Sequence, residues 1–378
     1  MRPLLLLALL LAGGAFVLAG PPAALDAAPP RPAPPLTGLG NPFPDVYPRS
    51  ELDGKGAVHD LAVVDGRVYV AHGSTDSGVP NRPVYYDVEA EAWGVDDAVL
   101  HQEGIFRLEV GPSGRLYASA DDAIGRPATL MIRRERDGTW TERVADPTEN
   151  HSRHTFEWAD PDTGDTLVFV QNGAPHFPDV SVSYDGGATF VAYGYEPPAE
   201  DVNPLRRYTF FPFQGSLYAT SFQPRTVPGY PEQEPRPYLV RYTGDRGRPF
   251  AVVSAERDDV FPGGGSQIDA VVELGDHLVA ASGRFYAGTA LERDRMTELA
   301  VPERARDLVR VGGAVYLLGS DIGAGTSALY ETRDGEAVRE VARFDRPFVA
   351  VEHAGGAFYL AESGADAENT LWRYRPAP

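Results

Sequence analysis

Three aspartates fall at one register of a segment that recurs along the 378-residue chain: Asp60 in His59-Asp60-Leu61, Asp269 in Ile268-Asp269-Ala270 and Asp307 in Arg306-Asp307-Leu308. The position before them, across seven copies, holds His59, Arg107, His154, Tyr208, Ile268, Arg306 and Val349. Imidazole, guanidinium and carboxylate groups gathered round one axis would hold a polar ligand, a sugar or a cation. A carboxylate repeated in one register also has a structural use, because it can accept backbone N–H bonds from the neighbouring unit. The aspartates read first in that structural way, whereas the histidines suit either use. The candidate ligand-binding set is His59, Arg107, His154, Tyr208, Asp269, Arg306 and Asp307.

Other chemistry is thinner. His151 and His154 have an i, i+3 spacing and could join His59 or His176 on a transition metal, but no carboxylate is fixed beside them by sequence, so no metal site is assigned. Asp160-Pro161-Asp162-Thr163-Gly164-Asp165 has the composition of a calcium loop but lacks the distal bidentate Glu, and reads as a hairpin turn. The chain has no cysteine, hence no thiolate ligand or nucleophile. No glycine-rich phosphate loop, nucleophile elbow or His-Glu-x-x-His run is present. No catalytic residue and no cofactor is assigned.

The elements that must position these residues repeat from about residue 57. Each copy reads as a β-hairpin around a Gly-bearing turn, as in Gly66-Arg67-Val68-Tyr69, Gly114-Arg115-Leu116-Tyr117 and Gly313-Ala314-Val315-Tyr316. Marker positions Tyr69, Tyr117, Phe169, Tyr218, Val279, Tyr316 and Tyr359 lie 37 to 61 residues apart. A third strand follows each hairpin, and a fourth follows in six of the seven copies. This is the pattern of an all-β, seven-bladed β-propeller with four-stranded antiparallel blades. The seventh copy runs out after Thr370-Leu371-Trp372-Arg373, so a strand from the N-terminal side, near Asp45 to Leu52, is expected to close the ring and remove an open edge. Such rings bind ligands where the innermost strands begin, and two inserts, Gln223 to Arg236 and Asp258 to Ser266, are placed to shape that rim.

Between the third and fourth strands of the third copy stands Ser183-Tyr184-Asp185-Gly186-Gly187-Ala188-Thr189-Phe190. A partial copy, Thr243-Gly244-Asp245-Arg246-Gly247-Arg248-Pro249-Phe250, occupies the equivalent place in the fourth, and Arg136-Asp137-Gly138-Thr139-Trp140 and Arg333-Asp334-Gly335 are fragments of it. The first run resembles the Asp-box of sialidases and related BNR-repeat propellers, through Ser183, Asp185, Gly187, Thr189 and Phe190. The resemblance implies a propeller and a structural box away from the active face. In that family catalysis needs an arginine cluster for a substrate carboxylate, a Tyr nucleophile with a Glu base, and an acidic donor. The family's early Arg-Ile-Pro element is missing here, and Pro48-Arg49-Ser50 does not replace it. The resemblance therefore covers the repeat and the box, not the catalytic set.

Met1-Arg2 followed by the apolar run Leu4 to Ala19 reads as a signal peptide (residues 1–19), shorter than the ~20 residues of a membrane span. Residues 20–43, rich in Pro and Ala, read as a linker, and residues 44–378 as the propeller domain. The expected location is secreted or periplasmic, with no membrane span in the mature chain. With 54 acidic against 34 basic residues, a net charge of -20 disfavours nucleic-acid partners. The function expected is a binding module for a polar ligand, glycan or protein at the channel mouth. The alternatives are a sialidase-like glycoside hydrolase acting on extracellular glycans and a structural cell-envelope module.

Overall fold

Alternating apolar residues around tight turns build every blade from hairpins. In blade 1, Val58–Val64 pairs with Arg67–His72 across Asp65 and Gly66, both at positive φ (51° and 74°), which matches the right-handed twist of the strands. Val84–Asp87 and Ala92–Val95 complete the sheet outward. Six blades are made in this way from consecutive strands. Their innermost strands are Val58–Val64, Gln102–Val110, Ser152–Ala159, Tyr208–Phe213, Ala270–Leu274 and Arg304–Val311, and that of blade 7 is Phe348–Ala354. The innermost strand of each blade packs on that of the next, and blade 7 packs on blade 1. The chain is thus a seven-bladed β-propeller. This computed structural model describes residues 36–43, 58–73, 78–125, 128–147, 151–172, 180–193, 208–221, 239–254, 260–262, 268–291, 295–362 and 370–376.

The core lies between blades. One cluster joins Ala62 and Tyr69 of blade 1 to Ile105, Leu116, Leu130 and Ile132 of blade 2, and another joins Leu274, Val279 and Phe285 of blade 5 to Leu308, Val315 and Leu317 of blade 6. Each sheet hides one face against each neighbour, so the strands read as apolar runs broken mainly at their ends.

The ring is closed from the N-terminal side, but by Thr37–Gly38 rather than by Asp45 to Leu52, which lie outside the described residues. Thr37 faces Arg373 and Gly38 faces Trp372 on the third strand of blade 7. Leu39 N donates to Leu371 O (2.9 Å), and Trp93 Nε1 of blade 1 donates to Leu39 O (2.7 Å). Phe43, 1% exposed, is buried among Val58, Leu61 and Val84. The folded body therefore includes residues 36–43, which the sequence assigned to the linker. A two-residue strand is held by backbone bonds and its neighbours, so it carries no alternating pattern by which it could be read. Residues 1–35, with the segment expected to be a signal peptide, fall outside the described residues.

Candidate functional site

The innermost strands surround a cavity of about 1210 Å³ at the centre of the ring. Five of them carry a β-bulge at the same height, between Val58 and Asp60, Ile105 and Arg107, Ser152 and His154, Ala305 and Asp307, and Phe348 and Ala350. A bulge inserts one unpaired residue and re-aims its side chain. The inserted residues are His59, Phe106, Arg153, Arg306 and Val349, and all five line the cavity. Asp269 of blade 5 lines it at the same height, with its backbone N–H on Ala281 O (2.8 Å).

This register corrects the columns read from sequence. Arg107 and His154 stand one position further along their strands, opposite Ser119 and Gln171, level with Asp60 and Asp307 opposite Ala71 and Leu318. Asp269 belongs with His59 and Arg306, not with Asp60. Phe106 and Arg153 are the rim residues that the sequence columns left out. Aligning each first strand by the residue paired with the aromatic marker, Ala62 with Tyr69 and Glu109 with Tyr117, would have found them. His59, Arg107, Asp269, Arg306 and Asp307 are brought to one cavity. His154 is buried in its wall, 1% exposed. Tyr208 begins the innermost strand of blade 4, and its side chain is outside the described residues.

Below the rim runs a belt of polar ties, one at each junction between blades. Asp60 accepts from Leu61 N (2.8 Å) and, across the junction, from Leu108 N (2.9 Å). Asp307 repeats the arrangement on Leu308 N and Val351 N, both at 2.8 Å. His154 Nδ1 accepts from Phe210 N of blade 4 (3.0 Å), and Thr209 Oγ1 donates to Ile268 O (3.0 Å). Ser119 Oγ accepts from Thr155 N (2.8 Å), and Ala305 N donates to Gly283 O (3.2 Å). Trp93 on Leu39 O ties blade 1 to the strand that completes blade 7. The structural use foreseen for the aspartates is thus what Asp60 and Asp307 do.

Electrostatics divide the channel by depth. Burial pushes the Asp60 carboxyl up to about 6 despite the Leu108 N–H and Arg107. Burial, and then the charge of Asp60, push Asp307 well above the usual carboxylate range. Glu352 is also pushed well up, by burial and then by Asp307, and burial raises Glu109. Glu109 and Glu352 line the cavity deeper than the belt and were not singled out in the sequence. Glu109 Oε2 lies 3.8 Å from Arg107 and 3.7 Å from His154 Nε2. Because His154 Nδ1 is an acceptor, its proton sits on Nε2, which makes no hydrogen bond. Burial, with Arg107 nearby, holds that imidazole neutral. The rim is different in sign: Arg153, Arg304 and Arg306 face the cavity there, with Arg107 just below them at the level of the belt. His59 Nε2 donates to Gly73 O (3.0 Å), since a carbonyl oxygen can only accept. No group of three His, Cys, Asp or Glu among the described residues is arranged to hold a metal ion.

The Ser183–Phe190 turn lies outside this cavity. Asp185 Oδ1 accepts from Ala188 N and Thr189 N (3.1 and 2.9 Å), and Oδ2 accepts from Thr189 Oγ1 (2.6 Å). These bonds hold its carboxyl down at about 2. Gly187, at φ +92°, comes so close to blade 2 that a Cβ would lie 2.8 Å from Met131 Sδ. Asp334 makes a related turn one residue tighter, accepting from Glu336 N and Ala337 N (both 2.9 Å). The turn at Asp160 to Asp165 closes a hairpin, with Asp160 N on Asp165 O (2.9 Å).

No family model matches the chain. No curated protein matches its sequence. Several solved structures share the architecture. Virginiamycin B lyase from Staphylococcus aureus is 11% identical over 91% of this chain and 99% of that one, with a TM-score of 0.57. Hydrazine synthase from Kuenenia stuttgartiensis is 13% identical over 85% and 96%, with a TM-score of 0.53. The propeller domain of the Trilobed protease from Pyrococcus furiosus, which has an open velcro topology, is 11% identical over 84% and 95%, with a TM-score of 0.52. At such identities the likeness is one of fold, and the chain is a seven-bladed β-propeller.

Proposed function

We propose that this protein is an exported binding module that takes a polar ligand into the mouth of its central channel. The observation that carries the reading is the cavity of about 1210 Å³ ringed by five side chains that bulges turn inward at one height. A purely structural module would be expected to have its channel mouth plugged by side chains. Export rests on the N-terminal run Leu4 to Ala19. No helix among the described residues is long and apolar enough to cross a membrane.

A screen of glycans, amino acids, peptides and phosphorylated or sulfated small molecules against purified residues 36–378 tests the binding reading. A ligand should raise the melting temperature of the wild type and lose affinity when Arg107 or Phe106 is replaced by Ala. A ligand that binds equally well to both variants would place the site elsewhere. N-terminal sequencing of the fractionated protein tests export: a chain beginning near residue 20 outside the cytoplasm supports it, and intact Met1 in the cytoplasm contradicts it.

One observation favours a second reading, glycoside hydrolysis. Burial, and then Asp307, push Glu352 toward its protonated form, and Glu109 lines the same cavity; a protonated acid paired with a second carboxyl is what that reaction uses. The lyase among the fold neighbours shows only that a propeller can carry an enzyme. A panel of glycosidase substrates decides: turnover abolished by Glu352→Gln supports hydrolysis, and no turnover of any substrate removes it.

A further inference from the structure

Arg306 differs from the arginines that answer a carboxylate elsewhere in the blades. Arg67, Arg115, Arg134, Arg343 and Arg346 each meet a carboxylate at 4.0 Å or less. The Arg304 and Arg306 side chains make no hydrogen bond or ion pair with any described residue. Arg304 is exposed, so water alone would satisfy it. Arg306 is half-buried, and its Nε is shut away from solvent without an acceptor. In a chain with 54 acidic residues against 34 basic ones, the shortage is not of carboxylates.

Their position is equally specific. The two arginines line the central channel and also a second cavity of about 500 Å³, bounded by Glu303, Ser320, Asp321 and Thr326 on the same blade. They form the wall between the two spaces. The bulge at Arg306 puts that side chain on the rim instead of in the blade interface. The acids that line the second cavity are engaged: Glu303 accepts from Tyr330 and Arg343, and Asp321 accepts from Ala324 N. Burial and the neighbouring Arg304 both work against the charge on Arg306, with Asp269 opposing them weakly. An anion seated between the two would relieve that conflict.

The donor count says which anion. One guanidinium satisfies a planar carboxylate through two parallel N–H bonds. Two guanidiniums carry two positive charges and about ten N–H donors. A tetrahedral ester group with three free oxygens, close to a dianion as a phosphate and a monoanion as a sulfate, can accept from both guanidiniums at once, which a planar carboxylate with two oxygens does less well.

We propose that Arg304 and Arg306 are a clamp for the phosphate or sulfate ester of a ligand whose remaining part lies in the central channel. This rests on the reading of the channel as the binding site and adds the chemical class of what binds. The anionic group sits on the wall shared by the two cavities, and Phe106 and His59 across the rim contact the rest.

The test uses inorganic phosphate and sulfate as probes, with acetate as the planar control, at constant ionic strength on residues 36–378. Calorimetric titration should show phosphate or sulfate binding to the wild type, weakened roughly ten- to hundredfold by Arg306→Gln or Arg304→Gln. Arg310→Gln, at the far end of the same strand, should bind as the wild type does. Unfolding curves of each variant without the probe show whether it is folded. Equal binding by wild type and the Arg304→Gln/Arg306→Gln double variant overturns the clamp, as does acetate binding as tightly as sulfate. The channel reading fails separately: the clamp stands and the channel falls if these anions bind but an organic phosphate or sulfate ester gains no affinity from Phe106.

Discussion

Arg306 and Asp307 are neighbours in the chain and opposites in how their polar atoms are used. Both oxygens of Asp307 accept backbone N–H groups, one of them from the next blade. Arg306 has a buried Nε with no acceptor and a guanidinium facing two cavities. One bulge separates the two roles, since it turns the inserted residue to the channel and leaves the next one at the blade interface. Asp60 with His59 repeats the division on blade 1, although His59 is tethered to Gly73 O. The belt holds the ring, and the rim above it is free of that task. In a repeat protein, a residue that recurs with the same bonds serves the repeat. A residue that recurs in position but differs in type from blade to blade is available for a ligand.

This contrast predicts that stability follows the ties between blades. The largest loss is expected from the fastening segment. Phe43→Ala should cost about 3–5 kcal/mol in urea unfolding, because a fully buried ring leaves a cavity between blades 7 and 1. A loss near zero would show that the ring holds without residues 36–43. Next comes the belt. Asp307→Ala leaves Leu308 N and Val351 N without their acceptor, at a cost of about 2–4 kcal/mol. If it unfolds no more easily than a rim variant, the division between belt and rim is lost.

A smaller effect is expected from pH. The Asp60 carboxyl is raised from 3.8 to about 6 in the folded chain. The folded state therefore holds this proton more tightly than the unfolded state does. The contribution is fully present below pH 4 and is lost as pH rises through 6. Between pH 7.5 and 5, the wild type should gain about 1 kcal/mol relative to Asp60→Asn. A gain in the other direction would mean that the carboxylate, not the acid, suits the belt. The smallest effect belongs to the outer turn. Asp185 is held down at about 2, so its contribution is present at neutral pH and lost as pH falls from 4 through 2. It lies on the surface, where water screens it, and Asp185→Asn should cost below about 1 kcal/mol at pH 7.

The sequence carried the seven copies, their hairpins and the missing strand of the last one, because apolar alternation and Gly-bearing turns are local signals. It did not carry the register at the rim. Arg107 and His154 sit beside a bulge, and a bulge is set by how two strands pair, which no single strand records. Nor did it carry Glu109 and Glu352, whose positions look like ordinary solvent-facing sites on a strand until the ring closes around them. Thr37–Gly38 was invisible for another reason: its partners, Arg373 and Trp372, are more than 300 residues away. His176 and the insert Gln223 to Arg236 lie outside the described residues, as does most of Asp258 to Ser266. Within that second insert, Val260 and Phe261 are buried against blade 5.

Urea unfolding of the Arg304→Gln/Arg306→Gln double variant tests the division between belt and rim most directly. Removing two like charges from a site where they have no partners relieves repulsion and desolvation, so the midpoint should stay where it is or rise. A fall as large as that of Asp307→Ala would contradict the account, because the rim arginines would then be part of what holds the ring together.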